Sequence, residues 1–512
     1  MRVFASSFGA WRSIEQNEGI RVPHGLVFSL AVLEKLGAPH GLTMDAEEHA
    51  KTPKGFDAVF ISVLDSRCMA NAVKHFKSWR IPFRRLERRP VGKYPLVWAG
   101  GQGLHNPRPM APAFDLCVIG DAEDPLPELL RLWERHGNSD GFLAAASTVP
   151  GVFVPDHHDP SESTIVQSVA SDITVTMKHE IDVSHNKTRR LEIARGCRFK
   201  CTFCSLGWRT PMRENSAEQI ITEIKKSSKL VHLQAGDAES HSGIAKIRQA
   251  LQEHGGFDQG WTGRYDTLLE NPDQTIPGQK RYAFGVEGVS HRLRSAVGKG
   301  YLTDDRLVND TLRFFENLGV GKQGQDLAGR AAWHLIAGWP TERPTETLDL
   351  MRVVKRIDDE WKGKLRTRRL AIHWQPFQPL PGTPAQWCHA GRGAKKQAAI
   401  FEAHLDTSPW LYVSQRGGRT DQMCLVTTVL TRADERGADL LEAINQRRVT
   451  PDEAAEIAGI GYGALDPDAP LPWDFIQQHF DRGTLRKAHE VMMRRLAVPP
   501  PSSPLDAYRP PF

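Results

Sequence analysis

The sequence predicts an α/β protein with a Rossmann-like parallel sheet, a partial (β/α)6 barrel and a mainly helical carboxyl-terminal region. Strand-like segments alternate with helix-like segments over residues 1–155, and longer units of the same kind begin at residue 189. Such alternation is typical of parallel strands joined by crossover helices. The predicted parts are a Rossmann-like domain (1–155), a linker (156–188), the barrel (189–405), a mainly helical region (406–498) and a Pro-rich tail (499–512).

Composition and charge narrow the class of protein. Of 512 residues, 40% are hydrophobic and 25% are charged, which is typical of a folded globular chain. The net charge of +5 permits a nucleic-acid substrate but does not argue for one. No apolar run reaches the length of about 18 residues that spans a bilayer. Glu15 and Glu18 precede any long apolar run, so we expect no secretory signal and a cytoplasmic location.

In the first domain, glycine-rich segments follow two of the predicted strands. The strands are predicted at 57–63, 96–98 and 116–119, and the helices at 69–79 and 125–135. The segment Gly100-Gly101-Gln102-Gly103 follows the second strand, and Gly120-Asp121-Ala122-Glu123 follows the third. Because open parallel sheets bind ligands at the carboxyl ends of their strands, these segments are either ligand-binding loops or tight turns.

The barrel is predicted to contain six strands, at 190–194, 230–234, 260–263, 282–286, 333–337 and 370–374. One helix begins at Ser216, which can form a capping box with Gln219, and others are predicted at 304–318 and 345–357. In such a barrel the chemistry is expected at the carboxyl ends of the strands. Beyond residue 407 we predict a short β-like segment at 423–430 and helical segments from 434 to 496.

Three cysteines lie on one loop directly after the first barrel strand. Cys197, Cys201 and Cys204 are separated by three and two residues, whereas Cys388 and Cys424 are single and distant. The odd total of seven cysteines, without an export signal, argues against a disulfide framework. Three thiolates on a 4Fe–4S cluster leave one iron open to a substrate or cofactor. A structural zinc site, which wants a fourth protein ligand, and inert thiols are the alternatives.

This loop resembles that of the radical S-adenosylmethionine (radical SAM) enzymes, which show the same gaps and an aromatic residue, here Phe203, before the last cysteine. The resemblance implies that Cys197, Cys201 and Cys204 hold a 4Fe–4S cluster whose open iron binds S-adenosylmethionine (SAM). It also implies reductive cleavage of SAM to a 5′-deoxyadenosyl radical, which removes hydrogen from an unactivated carbon. An electron donor of the flavodoxin or ferredoxin type is an implied partner.

The ends of later strands are similar to family segments that contact SAM. Residues 234–237 resemble a Gly-Gly-Glu segment that holds the methionine amino group, although Ala235 and Asp237 depart from it. Arg264 matches a basic residue that pairs with the SAM carboxylate, and residues 284–290 resemble the ribose-contacting segment. The likeness covers roughly residues 185–390. It implies that the residues binding SAM are Ala235, Gly236, Asp237, Arg264, Glu287 and Ser290.

The amino-terminal domain resembles the cobalamin-binding domain that precedes the barrel in many of these enzymes. Gly100-Gly101 and residues 115–123 fit the last two strand ends of that domain. Asp65-Ser66-Arg67-Cys68 stands where some cobalamin proteins carry an Asp-x-His-x-x-Gly segment with a cobalt-binding histidine. Cobalamin is therefore a possible further cofactor.

The cysteine content narrows the reaction. Methylthiotransferases carry three more cysteines in their first domain, where this chain has only Cys68 and Cys117. The general layout resembles phage enzymes of DNA hypermodification, and our most specific prediction is an isomerase that converts an N-linked glycyl-thymidine to a C-linked one. Such an enzyme would act on DNA or a modified nucleotide in the host cytoplasm. The alternatives are a cobalamin-dependent radical SAM C-methyltransferase and a non-catalytic, metal-stabilised binding protein.

The sequence identifies no catalytic residue. Candidate substrate contacts toward the predicted catalytic face, with core packing as the alternative, are His241, Trp339, His373 and Gln375. Trp208, Arg209 and Arg213 combine basic and aromatic side chains, which are expected either to contact a nucleic-acid backbone or to lie in a solvated loop.

Overall fold

The computed structural model describes residues 1–8, 24–46, 52–177, 188–227, 230–254, 261–264, 281–317, 329–361, 368–404, 411–415 and 421–498. The predicted Pro-rich tail (499–512) and residues 178–187 of the predicted linker lie outside these ranges. Within them, no helix is long and apolar enough to cross a membrane.

A six-stranded sheet forms the amino-terminal part, in the order β2-β1-β3-β4-β5-β6, with β6 antiparallel to β5 and the other pairs parallel. Its strand β3 is buried at every position, as expected when helices cover both faces of a parallel sheet. The predicted α/β class and parallel first sheet are confirmed, but β1, β2, β6 and α1 were not predicted. The elements are β1 (Arg2–Ser6), α1 (His24–Gly37), β2 (Thr43–Ala46), β3 (Ala58–Ser62), α2 (Ser66–Met69), α3 (Ala72–Trp79), β4 (Leu96–Gly100), β5 (Leu116–Val118), α4 (Pro125–His136), α5 (Asp140–Ala146) and β6 (Val152–Phe153).

The next part of the chain forms parallel strands with helices packed outside them. Strand β8 pairs with β11, and a second sheet has the order β12-β13-β14-β15-β16, with all of these pairs parallel. The elements are β7 (Ile165–Val166), β8 (Thr188–Glu192), β9 (Ala194–Arg195), α6 (Ser205–Arg209), β10 (Arg213–Glu214), α7 (Ala217–Lys226), β11 (Leu230–Gln234), α8 (Ile244–His254), β12 (Trp261–Gly263), β13 (Arg281–Glu287), α9 (His291–Ala296), α10 (Asp304–Asn317), β14 (Gly329–Ala337), α11 (Thr347–Trp361), β15 (Arg368–Pro376), α12 (Ala394–His404) and β16 (Leu411–Gln415).

The parallel strands of this part were largely predicted, with one addition. Strand β16 pairs with β15, so the sheet continues past residue 405, where the barrel was expected to end. The predicted capping box is present: Ser216 Oγ accepts from Gln219 N at 3.2 Å, and the Gln219 side chain accepts from Ser216 N. One hydrophobic core packs between strands and helices, with Trp333 of β14 and Val353 of α11 among its members.

The last elements are mostly helical: α13 (Asp421–Arg432), α14 (Gly437–Gln446), α15 (Pro451–Ala458), β17 (Ile476–Gln477) and α16 (Arg482–Ala497). Short 3-10 helices occur at Ala38–His40, Arg85–Arg88, Arg108–Met110, Thr174–Met177, Ala238–Ser240, Pro344–Glu346 and Pro384–Trp387. Leu430 and Leu441 of this region belong to the same core as Phe4 and Phe76 of the amino-terminal part. Strand β17 also pairs with β7, which ties the carboxyl-terminal region to the predicted linker.

The β-like segment predicted at 423–430 is wrong, because this segment lies inside helix α13. Its run of β-branched residues favours a strand when it is considered alone. In the helix, however, Thr427 and Thr428 donate their hydroxyls to the carbonyls of Met423 and Cys424, four residues earlier, each at 2.8 Å. These bonds satisfy the buried hydroxyls, and packing against the amino-terminal core outweighs the local propensity.

Candidate active site

The three-cysteine loop lies between strand β9 and helix α6, at the carboxyl end of the first barrel strands. Gly196 begins it with a φ of +81°, and a Cβ there would lie 2.5 Å from Pro211 O. Cys204 N donates to Cys201 O at 3.1 Å, and the Trp208 indole donates to the same carbonyl at 3.0 Å. These contacts fold the loop back on itself, and the three thiols interact electrostatically with one another.

The loop is anchored to two other parts of the barrel. Thr202 N donates to Val297 O at 3.3 Å, and Ala385 N donates to Thr202 O at 3.1 Å. At Gly207 a Cβ would lie 2.0 Å from Phe199 O, so helix α6 can pack on the loop only with glycine there. The backbone of the loop is therefore held from both sides.

Burial shapes the chemistry of the thiols. It raises the pKa of Cys204 to about 12 and also raises the pKa of Cys197. Arg264 Nη1 lies 3.7 Å from Cys201 Sγ and donates toward it. Within the described residues, no three His, Cys, Asp or Glu side chains are grouped so as to hold a single metal ion. An iron–sulfur cluster takes each thiolate on a different iron, and three thiols on one anchored loop fit that donor set.

The segment Ala235-Gly236-Asp237 follows strand β11 and lies directly beside the cysteine loop. A Cβ on Gly236 would lie 3.0 Å from Gly196 O and 3.3 Å from Cys197 Cβ, so the two backbones approach closely. Asp237 is buried, and its Oδ1 accepts from Arg264 N at 3.3 Å. The structure thus brings three of the predicted SAM-binding residues and Arg264 next to the thiols.

Arg264 is held over aromatic rings. Its guanidinium carbon lies 3.7 Å from the Phe199 ring centroid and 4.4 Å from that of Tyr301. Such cation–π contacts fix the position of the guanidinium beside the thiols. The pairing of Arg264 with the SAM carboxylate stays a prediction.

Glu287 ends strand β13 in the left-handed region, with a φ of +68°, at a register shift of the sheet. Its carboxylate pairs with Lys299 at 2.9 Å, and its carbonyl accepts from the Trp339 indole at 3.1 Å. Burial opposes the charge on Lys299, but Glu287, together with Cys201, outweighs burial and raises the pKa of Lys299. This backbone conformation is costly for a residue other than glycine, which is typical of functional positions.

Ser290 makes hydrogen bonds within the protein. Its hydroxyl accepts from Leu293 N at 3.3 Å as the cap of helix α9, and it donates to Glu346 at 2.6 Å. Glu346 is itself held by Arg292 at 2.6 Å. The hydroxyl is engaged within the protein, and its contact with a SAM ribose stays a prediction.

A cavity of about 470 Å³ lies between the amino-terminal sheet and the cysteine loop. One end is an apolar slot inside the amino-terminal part, lined by Val32 and Leu33 of α1, Trp98 of β4 and Leu126 of α4. The other end is lined by residues beside the thiols, among them Gly236. The cavity therefore connects the first sheet to the proposed cofactor side of the barrel.

The glycine-rich segments of the first domain line this cavity and also form tight turns. At Gly101, with a φ of +118°, a Cβ would lie 2.5 Å from Val63 O. At Gly120, with a φ of +99°, it would lie 2.2 Å from Ser168 O. Both lie at carboxyl ends of parallel strands and line the cavity. The segments therefore form tight turns, and their role as ligand-binding loops stays a prediction.

An ionic cluster joins the two parts of the chain beside the cavity. Arg195, two residues before Cys197, contacts Asp121 at 3.0 Å, Glu123 at 2.7 Å and Glu192 at 2.7 Å. Arg213 also pairs with Asp121, at 2.5 Å. Burial opposes the charge on Arg195, but the carboxylates outweigh it and hold its pKa well above its ordinary value. Burial also raises the pKa of Glu123.

This cluster was missed by the sequence interpretation. Asp121 and Glu123 were noted only as part of a strand-end segment, and Arg195 and Glu192 were not singled out. The sequence shows charged residues at predicted strand ends in both parts of the chain. It does not show that these charges pair, because the pairing depends on how the two parts pack together.

The candidate substrate contacts are all in the barrel. His241 is buried, and its Nε2 lies 2.9 Å from Asn215 O. Trp339 is buried between Phe203 and Phe377, with ring centroids 5.5 and 4.4 Å away. His373 is buried on β15, in register with His334 of β14.

Gln375 lies opposite Ile336, further toward the carboxyl end of β15 than His373. The substrate roles of His241, Trp339, His373 and Gln375 stay predictions.

The expectation that Trp208, Arg209 and Arg213 lie in a solvated loop is wrong. Trp208 is packed in an apolar cluster that contains Trp387 and Trp473. Arg209 is 8% exposed and donates to Gln102 O at 2.9 Å, and Arg213 is paired with Asp121. Trp208 and Arg209 are buried, and Arg213 is partly buried, against other parts of the chain, which the local sequence does not reveal.

Comparison with known protein families agrees with this geometry. Residues 191–313, which include the cysteine loop and strands β11 to β13, match the family described as "Radical SAM superfamily". The chain contains a radical SAM domain. Residues 28–155 match the family described as "Radical SAM proteins, N-terminal". The predicted resemblance to radical SAM enzymes is confirmed, and the family implies a 4Fe–4S cluster, SAM and a reductant.

The solved structures that are similar to this chain are distant from it in sequence. The cobalamin-dependent SAM radical enzyme OxsB with aqua-cobalamin bound matches at 15% identity and a TM-score of 0.47, over 70% of this chain and 52% of that chain. OxsB with aqua-cobalamin and SAM bound matches at 12% sequence identity and a TM-score of 0.49, over 97% of this chain and 79% of that chain. SuiB of Streptococcus suis matches at 11% sequence identity and a TM-score of 0.28, over 45% of this chain and 50% of that chain. No curated protein matches this chain.

Proposed function

We propose that this radical SAM protein is an enzyme that binds cobalamin in its amino-terminal part and acts as a C-methyltransferase. The observation that carries the proposal is the cavity, which runs from an apolar slot under the first sheet to the backbone beside the cysteine loop. A flat heterocycle suits the slot between Trp98 and Leu126, and an amide-rich ring suits the polar strand ends at Gly101 and Gly120. Few cofactors other than cobalamin combine a flat heterocycle with an amide-rich ring.

The cluster and SAM are assigned to the residues beside this cavity. Cys197, Cys201 and Cys204 would hold the 4Fe–4S cluster, because they share one loop that is anchored at Thr202 and Gly207. The residues proposed to hold SAM are Ala235, Gly236, Asp237, Arg264 and Glu287. The chemistry that the bound groups supply is reductive cleavage of SAM together with methyl transfer through cobalamin.

The protein's own contribution is placement and exclusion of water. Arg264 is fixed by two aromatic rings beside the thiols, and its positive charge there suits the carboxylate at the methionine end of SAM. Gly236 lets that end approach the thiols, because any side chain would crowd Cys197. Phe203, Trp339 and Phe377 form an apolar wall that keeps water from the reacting groups.

The test begins with protein purified and reconstituted under anaerobic conditions. Iron and sulfide content, SAM cleavage to 5′-deoxyadenosine and the absorption of bound cobalamin are measured on wild type, Cys201→Ala and Cys388→Ala. We expect Cys201→Ala to lose cluster and cleavage, whereas Cys388→Ala, which removes a buried thiol outside the loop, keeps both. Formation of S-adenosylhomocysteine with cobalamin supports methyl transfer. Wild-type protein that binds no cobalamin would refute that part of the proposal.

A second candidate is isomerisation of an N-linked glycyl-thymidine, in which the cavity would hold a nucleotide. It is favoured by the sequence Asp65-Ser66-Arg67-Cys68 at the end of β3, which offers no histidine for cobalt. The product decides between the two candidates: a C-linked glycyl-thymidine from modified phage DNA supports isomerisation, and a methylated product excludes it. A non-catalytic binding protein would instead show no SAM cleavage, and its Cys201→Ala variant would unfold.

A further inference from the structure

The cysteine loop has an inner side and an outer side. On the inner side, Ser205 and Leu206 line the cavity beside the first sheet. On the outer side, Arg198 and Lys200 are exposed to solvent, and each is next to a cysteine in the sequence. The outer side is therefore where a partner protein can approach the thiols.

A glycine leaves the backbone of Cys201 uncovered on this outer side. Gly298 is exposed, and a Cβ there would lie 3.3 Å from Lys200 O and 3.4 Å from Cys201 Cα. With a φ of +89°, the position favours glycine over any other residue. No side chain of residue 298 therefore stands between Cys201 and the solvent.

An arginine from the end of the chain lies beside this glycine. Arg495 of helix α16 is exposed, and its Nη1 donates to Ser295 O at 3.2 Å. Gly298 N donates to the same carbonyl at 3.4 Å. Together with Arg198 and Lys200, Arg495 forms a group of three exposed cations around Gly298, which we call the basic face.

The contacts of Arg198 and Lys200 supply no negative charge. Lys200 Nζ donates to Gly207 O and lies 4.2 Å from the ring centroid of Phe480. The guanidinium carbon of Arg198 lies 5.8 Å from the ring centroid of Phe199. The cysteine loop and helix α6 also contain no acidic residue. The face beside the thiols therefore carries a local excess of positive charge.

Carboxylates of the adjoining segments are engaged with other groups. Asp304 pairs with Arg294, and Asp481 caps helix α16. Glu490 of the same helix pairs with Arg486 at 3.3 Å. The charges of the basic face thus stay available to a partner.

We propose that Arg198, Lys200 and Arg495 form the docking face for a small acidic electron-transfer protein. This carrier gives one electron to the oxidised cluster and is itself oxidised by one electron, with no bond formed or broken. Electron-transfer complexes use small interfaces, and opposite charges steer the two proteins together. The inference rests on the assignment of the cluster within the proposed function, and it does not depend on cobalamin.

The experiment measures the rate of cluster reduction by anaerobic stopped-flow absorption on reconstituted protein. The protein reductant is an acidic flavodoxin in its fully reduced form. The small-molecule reductant is reduced methyl viologen, a cation that needs no basic face. The variants are Arg198→Gln/Arg495→Gln and Lys200→Gln. Circular dichroism and iron content check that each variant folds and holds its cluster.

The matched control is Lys54→Gln/Arg135→Gln, which removes two exposed positive charges at the opposite edge of the first sheet. Lys54 precedes β3, and Arg135 is in the last turn of α4. Asn138, which follows α4, donates to Tyr94 O just before β4, so the end of α4 lies at the amino edge of the sheet. Because the net charge falls equally in the two double variants, a difference between them reports where the charges lie.

At low ionic strength we expect flavodoxin to reduce the Arg198→Gln/Arg495→Gln variant about tenfold more slowly than wild type, since the steering charges are lost. Lys200→Gln should also react more slowly. The difference from wild type should shrink at high salt, because salt screens exposed charges. The control should react with flavodoxin as wild type does, and methyl viologen should reduce every variant no more slowly than wild type.

Equal flavodoxin rates for wild type and the Arg198→Gln/Arg495→Gln variant overturn the inference. A wild-type protein that methyl viologen reduces but flavodoxin does not also overturns it, and so does a variant that both reductants reduce slowly. Wild-type protein that holds no iron refutes the cluster assignment together with the inference. Arg198 and Arg495 are exposed, so the result of the double variant stands even if Lys200→Gln, which loses its contact with Phe480, fails to fold.

Discussion

Replacement of Arg195 by methionine tests whether the ionic cluster holds the two parts of the chain together. The change removes contacts with Asp121, Glu123 and Glu192. Asp121 keeps Arg213, and Glu192 keeps the Thr176 hydroxyl at 2.8 Å. Of the three carboxylates, Glu123 is the one whose stabilising interactions depend most on Arg195.

The magnitude follows from burial. The side chain of Glu123 is 8% exposed, and removal of one partner of a buried ion pair typically costs about 3–5 kcal/mol. Because two of the three carboxylates retain donors, we expect a value near the lower end, about 3 kcal/mol in the free energy of unfolding. Arg447→Met is the matched control, since its pair with Glu453 at 2.9 Å is 53% and 40% exposed. Such a surface pair is screened by water and contributes little to stability.

The pH dependence gives a second readout with a definite sign. Burial already raises the pKa of Glu123 above its ordinary value of 4.5, and Arg195→Met removes the strongest interaction that opposes that rise. The folded chain then binds this proton more tightly than the unfolded chain does. The stability lost by Arg195→Met is therefore largest above the raised pKa and shrinks as the pH falls toward the ordinary value.

The assay is urea unfolding followed by tryptophan fluorescence, at about pH 8 and about pH 5. Arg195→Met should be clearly less stable than Arg447→Met at the higher pH, and the gap should narrow at the lower one. Equal stabilities at the higher pH would refute the account of the cluster. A gap that widens on acidification would refute the assignment to Glu123.

Three further predictions concern the loop, a buried carboxyl group and the apolar slot. Gly207→Ala should lower the iron content of reconstituted protein, because its Cβ would lie 2.0 Å from Phe199 O; iron content equal to wild type would contradict this. Burial raises the pKa of Glu342 from 4.5 to about 7, so wild type should lose stability relative to Glu342→Gln as the pH rises through 7. The full difference in the free energy of unfolding between wild type and Glu342→Gln, about 3 kcal/mol, should be measurable by urea unfolding. If the stabilities of the two proteins changed in parallel with pH, the prediction would be contradicted. Leu126→Trp should fill the slot and weaken cobalamin on the order of tenfold while sparing cobinamide, which lacks the nucleotide tail, and equal losses for both would exclude the slot as the site of the nucleotide base.

The sequence was informative where chemistry is local. The spacing of Cys197, Cys201 and Cys204 and the aromatic Phe203 indicated the radical SAM domain without any knowledge of distant contacts. Alternating strands and helices likewise predicted both parallel sheets. These features depend on short segments, whose residue types follow directly from the structure they form.

The sequence was misleading where partners come from far along the chain. A basic Arg209 next to the aromatic Trp208 suggests either a nucleic-acid contact or a solvated loop, yet Gln102, more than a hundred residues earlier, accepts its hydrogen bond. The threonines and valines of segment 423–430 favour a strand, yet burial against the amino-terminal core selects a helix. Both errors have the same physical origin, which is tertiary packing that overrides local preference.

The shared core of the two ends of the chain has a consequence for its synthesis. Phe4 and Phe76 emerge from the ribosome early, but Leu430 and Leu441, which pack in the same core, emerge several hundred residues later. The amino-terminal sheet must therefore leave apolar surface uncovered throughout most of translation, a state in which chains aggregate. A fragment truncated near residue 405, although it would keep every residue that we assign to the cluster and to SAM, should need chaperones or low temperature to stay in solution.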